Sequence, residues 1–216
     1  SDYADGEPQA VLLGGYGGSW VPWSGLRQLA VDPGVLKAHG VSIGAGLVGP
    51  LPASACGVEE ATRLVNYLAG QSARQCGPCV FGLAAVADLC DDLTAGALTT
   101  SGRKRLIRFM DEISGRGACR HPDGAIRMVT SALQVFGADV ARHKRGRTCN
   151  AKVYGVMPLP GETSSPDIMP MMLDFRWQIS TVPPCALIRA CAMGWASVRI
   201  WLPISSLWIP GVTPDR

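Results

Sequence analysis

The stretch Gln71-Ser72-Ala73-Arg74-Gln75-Cys76-Gly77-Pro78-Cys79 decides how this 216-residue chain is interpreted. Its Cys-x-x-Cys spacing places two thiolates on one turn, close enough to share a metal ion or a cluster. Gly77 permits a tight path in which backbone N–H groups face the sulfur atoms, and Pro78 suits the first position of a helix. A third cysteine, Cys119, follows 40 positions after Cys79 in a loop between two predicted helices.

Residues 58–145, on both sides of this stretch, have the apolar periodicity of helices. Glu59 and Glu60 suit the first turn of one helix, which we expect to end near Gly70. Three more helices are predicted to begin at Pro78, Ser101 and Asp123. The third of the four helices should bury Leu106, Ile107, Met110 and Ile113. Four helices with short connections predict a compact bundle, in which the loop of the third cysteine returns to the Cys-x-x-Cys pair.

The residues before this helical part, 9–56, predict a small β-rich unit. The apolar run 9–13 precedes a cluster of glycines at 14–18, which we interpret as a tight turn. Residues 41–43 and 46–48 are further strand-like pieces bounded by glycine and proline. A glycine cluster can also cradle phosphate groups, but this one lacks a helix directly after it and an acidic partner for a ribose.

Composition limits the class of protein. At 47% hydrophobic residues the chain can bury a real core, and 216 residues suffice for one medium domain or two small ones. The net charge of +3 is too small to indicate nucleic-acid binding. No run reaches the roughly 20 apolar residues of a membrane span, and the polar N-terminus lacks a secretory signal. We therefore expect a cytoplasmic protein whose eight cysteines serve metal or redox chemistry rather than disulfides.

Three chemistries compete for the Cys-x-x-Cys pair. Thiol–disulfide exchange uses the same Cys-Gly-Pro-Cys sequence, but no βαβ pattern precedes it here. A structural zinc ion would need a fourth ligand, for which His121 is the candidate. An iron–sulfur cluster would use the cysteines themselves. The three histidines, His39, His121 and His143, are scattered in the sequence and predict no metal cluster of their own.

Residues 9–145 resemble the C-terminal half of the flavin- and NADH-binding subunit of respiratory complex I and of its soluble relatives. The segment 9–20 is similar to the start of that family's soluble-ligand-binding β-grasp (SLBB) domain. The segment 55–64 is similar to the beginning of its helical bundle, and 71–83 to its cluster loop.

The resemblance implies an α+β fold, with an SLBB/β-grasp-like domain at 1–56, a four-helix iron–sulfur-binding domain at 57–150 and an irregular tail at 151–216. The tail holds four of the six Trp and five of the seven Met, and neither helical nor strand periodicity persists in it. In several bacterial relatives a short ferredoxin-like segment follows the bundle. Back-translation permits a shifted frame in which 200–214 reads as ferredoxin-like, so we interpret the tail as a loosely packed frameshift product. A genuine apolar binding tail is the competing interpretation.

The family pattern in the cluster loop is Cys-x-x-Cys-x-x-Cys, and a further cysteine about forty residues later completes the ligands of a [4Fe–4S] cluster. Position by position, Cys76, Cys79 and Cys119 match the second, third and fourth ligands, while Ala73 occupies the first position. The resemblance thus implies a [3Fe–4S] cluster, or a [4Fe–4S] cluster with another fourth ligand, and loss of the cluster is the remaining alternative. The candidate fourth ligands are Ser72, Cys56 and Cys90, and both cysteines also suit a protein core.

The same resemblance implies an electron-transfer module and not a complete enzyme. The family's FMN and NADH sites precede the SLBB domain, so we expect neither FMN nor NAD on this chain alone. Electrons would pass between the cluster and a redox partner protein or subunit. The basic run at 142–147 is interpreted as a solvated helix end, or else as a docking patch for an acidic partner. A non-catalytic metal-binding or scaffold module is the alternative function.

Overall fold

The computed structural model describes residues 6–30, 32–146, 149 and 153–160. Within these ranges the chain is a mixed α and β structure, and all of them lie in the first of two compact units, Ser1–Ile168 and Met169–Arg216. The strands are β1 (Pro8–Leu13), β2 (Ser19–Pro22) and β3 (Val48–Pro52). The α-helices are α1 (Trp23–Leu26), α2 (Pro33–Ala38), α3 (Gly57–Gly70), α4 (Ala84–Thr94), α5 (Thr100–Ile113), α6 (His121–Val135) and α7 (Gly137–His143). A π-helical turn, Pro78–Leu83, leads directly into α4.

The sheet is antiparallel in the order β2-β1-β3, so β1 is its central strand. Successive side chains of a strand point to opposite faces, and both faces of β1 are covered. Ala10 and Leu12 belong to the main core that the sheet shares with the helices. Val11 and Leu13 pack with Leu36 of α2 in a smaller core. The predicted strand at 9–13 is confirmed, and burial on both faces explains its uninterrupted apolar run.

β1 and β2 are joined by the glycine cluster at 14–18. Gly14 and Gly15 have φ angles of +95° and +88°, which glycine adopts without the steric conflict of a Cβ atom. Gly18 N–H donates to the Gly15 carbonyl oxygen at 2.9 Å, and a Cβ at Gly18 would lie 1.9 Å from the Leu13 carbonyl oxygen. The cluster is therefore the tight turn that was predicted.

The strand predicted at 41–43 is wrong. Val41 and Ile43 pack against the smaller core, but their backbone follows an irregular path between α2 and β3. The piece predicted at 46–48 pairs with β1 only from Val48 onwards. The apolar pattern correctly indicated buried side chains, but burial alone does not determine whether the backbone pairs in a ladder.

α3 is the central helix of the main core. Leu64 and Val65 are fully buried, and the helix packs against α4 and α6. Its first turn carries Glu59 and Glu60, and it ends at Gly70, as predicted. Among the described residues, no helix combines the length and the apolar character that crossing a membrane requires.

The N-terminus of α5 differs from the prediction. Its N-cap is Thr99, whose side-chain oxygen accepts the Gly102 N–H at 3.0 Å, and not Ser101. Ile107 is 50% exposed and therefore does not join the core as predicted. Leu106 lies on the buried face of α5. Ile107, the next residue along the helix, is rotated by about 100° away from that face.

The predicted fourth helix is in fact two helices, α6 and α7. Phe136, with φ −96° and ψ 34°, leaves the helical path between them. α6 begins at His121, so Asp123 lies inside its first turn instead of capping it. Phe136 turns into the core and packs edge-on against Trp20, which explains why the helix breaks there.

The predicted loose packing of the tail's described residues, 153–160, is wrong at Val156 and Met157, whereas Val153, Pro158 and Pro160 are exposed. Val156 and Met157 are buried in the main core, although this segment contains no helix or strand. Residues 161–216, on which the frameshift interpretation rests, lie outside the described residues.

Candidate functional site

Cys76 lies in the loop between α3 and the π-helical turn, and Cys79 lies in the first part of that turn. Residues 72–75 are neither helix nor strand, and Arg74 has a φ of +53°, in the left-handed region that few non-glycine residues adopt. Burial raises the pKa of the Cys79 thiol, and the backbone N–H of Arg74 acts on it in the opposite direction. The unusual backbone conformation thus occurs where the loop approaches a sulfur atom.

Groups from both stretches of sequence act on Cys76. The backbone N–H groups of Ala118 and Cys79 and the Cys79 thiol favour its thiolate, and the Cys79 N–H donates to the Cys76 carbonyl oxygen at 3.1 Å. These donors stabilise the thiolate, so the pKa of Cys76 is lowered from its ordinary value of 9.0, chiefly by Ala118. Because Ala118 directly precedes Cys119, the loop of the third cysteine has returned to the Cys-x-x-Cys pair.

Cys79 is the buried member of the group, with 5% of its surface exposed. Burial raises the pKa of its thiol, and the neighbouring Cys76 and Cys119 raise it further by charge repulsion. Cys119 itself is exposed.

Two side chains of α6 hold the Cys119 loop in place. Asp123 Oδ1 accepts the Gly115 N–H at 2.8 Å, which ties the beginning of the loop to the helix. His121 Nε2 lies 2.8 Å from the Leu68 carbonyl oxygen and donates to it, because a carbonyl can only accept. This bond occupies the His121 Nε2 atom, so the zinc alternative with His121 loses one of its two donor nitrogens.

The candidate fourth ligands lie in three different environments. Ser72 has a buried hydroxyl oxygen without a hydrogen-bond partner in the part of the chain that the structure describes. Cys56 is the N-cap of α3, about 20 Å from the cluster loop because a 14-residue helix separates them. Cys90 is buried within α4, and burial raises its pKa to about 12. Of the three, only Ser72 belongs to the loop of Cys76.

The donor set fits an iron–sulfur cluster with three thiolate ligands. Nearby backbone N–H groups favour the thiolate forms of Cys76 and Cys79, as the bound sulfurs of such clusters require. Ser72, in the same loop as Cys76, has a buried hydroxyl oxygen without a partner among the described residues. Such a cluster would carry electrons one at a time.

A second group of metal-ligating side chains was missed by the sequence analysis. His143 is fully buried, and its Nε2 lies 3.3 Å from Cys56 Sγ and 2.7 Å from Cys149 Sγ. The three ligand atoms all lie within 4.8 Å of one another. The predictions that the histidines join no metal cluster and that 142–147 is a solvated helix end are therefore wrong at His143.

Burial is the largest influence on the thiol pKa in this second group. It raises the pKa of Cys56 to about 12, and the hydrogen bond with Cys149 adds to the effect. The sequence offered one weak signal, a histidine six positions before a cysteine. Cys56 lies 87 positions before His143, so their contact depends on α7 folding back onto the start of α3.

Residues 59–143 match the family described as the NADH-ubiquinone oxidoreductase-F iron-sulfur binding region. The second NADH-quinone oxidoreductase F subunit of Rhizobium meliloti is 29% identical over 141 residues, which cover 65% of this chain and 33% of that protein. The NADH-quinone oxidoreductase F subunit of Streptomyces coelicolor is 30% identical over 135 residues, 62% of this chain and 30% of that protein. The chain thus spans about a third of the length of these relatives.

The fold is similar to part of a solved oxidoreductase. The NAD+-reducing [NiFe]-hydrogenase in its air-oxidised crystal structure aligns with a TM-score of 0.55 at 16% identity, over 77% of this chain and 27% of the hydrogenase chain. Its H2-reduced structure aligns with a TM-score of 0.55 at 17% identity, over 84% and 28%. At this level of identity the likeness concerns the fold alone.

Proposed function

We propose that this chain, whose residues 59–143 form an iron–sulfur-binding region of the NADH-ubiquinone oxidoreductase F type, relays electrons through a cluster held by Cys76, Cys79 and Cys119. One observation carries the assignment of these ligands. The Ala118 N–H is the largest influence that lowers the pKa of the Cys76 thiol, which supports a meeting of two stretches separated by two helices.

The fourth corner of the cluster is assigned to Ser72. Its hydroxyl oxygen is buried and unpartnered within the described ranges, and a buried polar atom without a partner is costly unless it binds something. Three thiolates and one alkoxide complete a [4Fe–4S] cluster, and without Ser72 a [3Fe–4S] cluster remains. The Arg74, Cys79 and Ala118 N–H groups stabilise negative charge on the sulfurs and so raise the reduction potential.

The finer description of the fold belongs to the same proposal. We assign 1–56 to an SLBB/β-grasp-like domain, 57–150 to a four-helix iron–sulfur-binding domain and 151–216 to the tail. A three-stranded antiparallel sheet precedes the helices, which supports the first two assignments. The sheet and the helices nevertheless share one core, so we expect these two domains to unfold together.

The redox partner is proposed to be another protein or subunit, in the cytoplasm. Next to the buried Cys79, the π-helical turn exposes Val80 by 40% and Phe81 by 76%. An apolar surface beside a cluster suits a protein that must dock closely for electron transfer. The relatives' names describe them as subunits, which supports a partner of this kind.

The test is iron and acid-labile sulfide analysis of the full chain, purified without oxygen, together with EPR spectra. We expect a brown protein with a cluster signal that disappears in the Cys119→Ala variant. Cys119 is exposed, so this change should leave the fold intact. The Cys90→Ala variant is the matched control and should keep its iron. A colourless protein with one zinc, or equal iron in both variants, would overturn the proposal in favour of a scaffold.

A further inference from the structure

We infer that Cys56, His143 and Cys149 bind one zinc-type divalent metal ion, separate from the iron–sulfur cluster, which fastens the chain after α7 to the start of α3. This site goes beyond the electron-relay function proposed above. Each of its side chains comes from a different segment: the N-cap of α3, the end of α7 and the chain beyond it.

The ligand atoms lie somewhat closer together than in a tetrahedral zinc site. With zinc–sulfur bonds of about 2.3 Å and zinc–nitrogen bonds of about 2.0–2.1 Å, neighbouring ligand atoms lie about 3.5–3.8 Å apart. His143 Nε2 is 3.3 Å from Cys56 Sγ and 2.7 Å from Cys149 Sγ. A shift of about 1 Å by Cys149, which lies outside the helices, opens the group to that spacing.

The tautomer of His143 is already the one that a metal requires. Its Nδ1 lies 2.8 Å from the carbonyl oxygen of Thr94, which can only accept, so Nδ1 carries the proton. The lone pair is therefore on Nε2, which faces both sulfur atoms. A histidine that donates one nitrogen to a carbonyl and presents the other to sulfur ligands is the common arrangement in zinc sites.

Without a metal ion the group is a buried chain of hydrogen bonds, in which Cys56 bonds to Cys149 and Cys149 to His143 Nε2. The single lone pair of Nε2 can accept one thiol proton well, yet two sulfurs lie against it. A metal ion instead forms a bond with each of the three atoms. Both thiols lose their protons to solvent when the metal–sulfur bonds form, and no oxidation or reduction takes place.

The fourth coordination position is assigned to Glu59, whose carboxylate would have to turn towards the three ligand atoms, since only Cys56, His143 and Cys149 form the group within 4.8 Å among the described residues. Glu59 lies one turn after Cys56 on α3; burial raises the pKa of its carboxyl and the neighbouring His143 lowers it. Asp139 is also near, but its Oδ2 accepts the Gly57 N–H and its Oδ1 pairs with Arg142. In the described part of the chain, Glu59 is therefore the available carboxylate.

The site is distinct from the cluster because the two lie at opposite ends of α3. Cys56 precedes the helix and Cys76 follows it, and the helix is about 21 Å long. α4 returns along α3, starting beside the cluster cysteines and ending at Thr94, which supports His143. One cofactor cannot bridge this distance, so each group has its own ligand function.

The experiment measures zinc and iron by plasma mass spectrometry in the full chain, expressed with both metals supplied. We expect one zinc in the unaltered protein and below about 0.1 in Cys149→Ser, which should keep its iron. The matched variant Cys119→Ser should show the reverse, with zinc retained and iron lost. This opposite pattern separates a failure of the zinc site from a failure of the cluster proposal.

Cys149 is half-buried and non-helical, so its serine variant should fold, and circular dichroism checks this. Glu59→Gln should weaken zinc binding at least about tenfold in a chelator competition. The inference fails if the unaltered chain holds no zinc or if Cys149→Ser keeps it. Loss of iron instead of zinc in Cys149→Ser, or a disulfide between Cys56 and Cys149 in the intact mass, would overturn it equally.

Discussion

The Glu60 carboxylate accepts the backbone N–H of Tyr154 at 2.6 Å, which joins the first turn of α3 to the chain beyond α7. The same oxygen accepts the Gly155 N–H at 2.6 Å, and Arg63 pairs with the other oxygen at 3.2 Å. Glu60 is fully buried, so these donors replace the water that its charge loses on folding. Glu60 therefore joins the backbone of the segment 153–160 to α3, beside the bond from Arg63 to the Met157 carbonyl oxygen.

We expect Glu60→Ala to lower the free energy of unfolding by about 3–5 kcal/mol, because it removes a buried carboxylate that accepts three backbone N–H groups and pairs with Arg63. Urea denaturation followed by circular dichroism measures the change. The control is Glu112→Ala, which breaks an exposed ion pair of 2.8 Å with Arg108. This change should lower the free energy of unfolding by less than about 1 kcal/mol. Equal losses in the two variants would contradict the prediction.

Gly57 leaves no room for a side chain where α3 begins. A Cβ there would lie 2.1–2.4 Å from ring atoms of Phe136, whose ring packs against Trp20. Gly57→Ala should therefore destabilise the protein by about 1–3 kcal/mol, measured as a shift of the urea midpoint. Gly70→Ala, at the open end of the same helix, should be neutral or stabilising. A tolerated Gly57→Ala would show that Phe136 can move aside.

Ser72→Ala should convert the cluster from four irons to three, because it removes the proposed fourth ligand. Iron analysis and the EPR signal of an oxidised three-iron cluster would detect the change. Adding Ala73→Cys to this variant should restore the four-iron cluster, since it returns a thiol to the family's first ligand position. An unchanged iron content in Ser72→Ala would rule out the serine as a ligand.

Cys90 should make stability fall at high pH. Burial raises its pKa in the folded protein from 9.0 to about 12. The folded state holds the proton more tightly, so the stabilisation is complete below pH 9.0 and is lost as the pH rises towards 12. The slope for one such thiol is about 1.4 kcal/mol per pH unit.

The measurement compares unfolding of the unaltered chain and of Cys90→Ala between pH 8 and about 11. The difference in the free energy of unfolding between the unaltered chain and Cys90→Ala should shrink as the pH rises through this interval. Parallel curves would mean that Cys90 ionises as easily in the folded as in the unfolded chain.

Elements that depend on local sequence were predicted well. α3 has its acidic first turn and its end at Gly70, and the second helix begins at Pro78. The tight turn at 14–18 follows from glycine's freedom to adopt positive φ. The caps of α5 and α6 were misplaced because Ser101 and Asp123 each have another hydrogen-bond partner close by.

The amino-acid sequence by itself determined that a helical turn begins at the Cys-x-x-Cys pair. The spacing of Cys76 and Cys79 and the proline between them act over only a few residues. Only the tertiary structure decided the His143 group and the burial of Val156 and Met157. These contacts join segments far apart in the chain, and their pairing depends on how α3, α4 and α7 pack. Local periodicity reports that a side chain is buried, but the packing of the whole chain selects its neighbours.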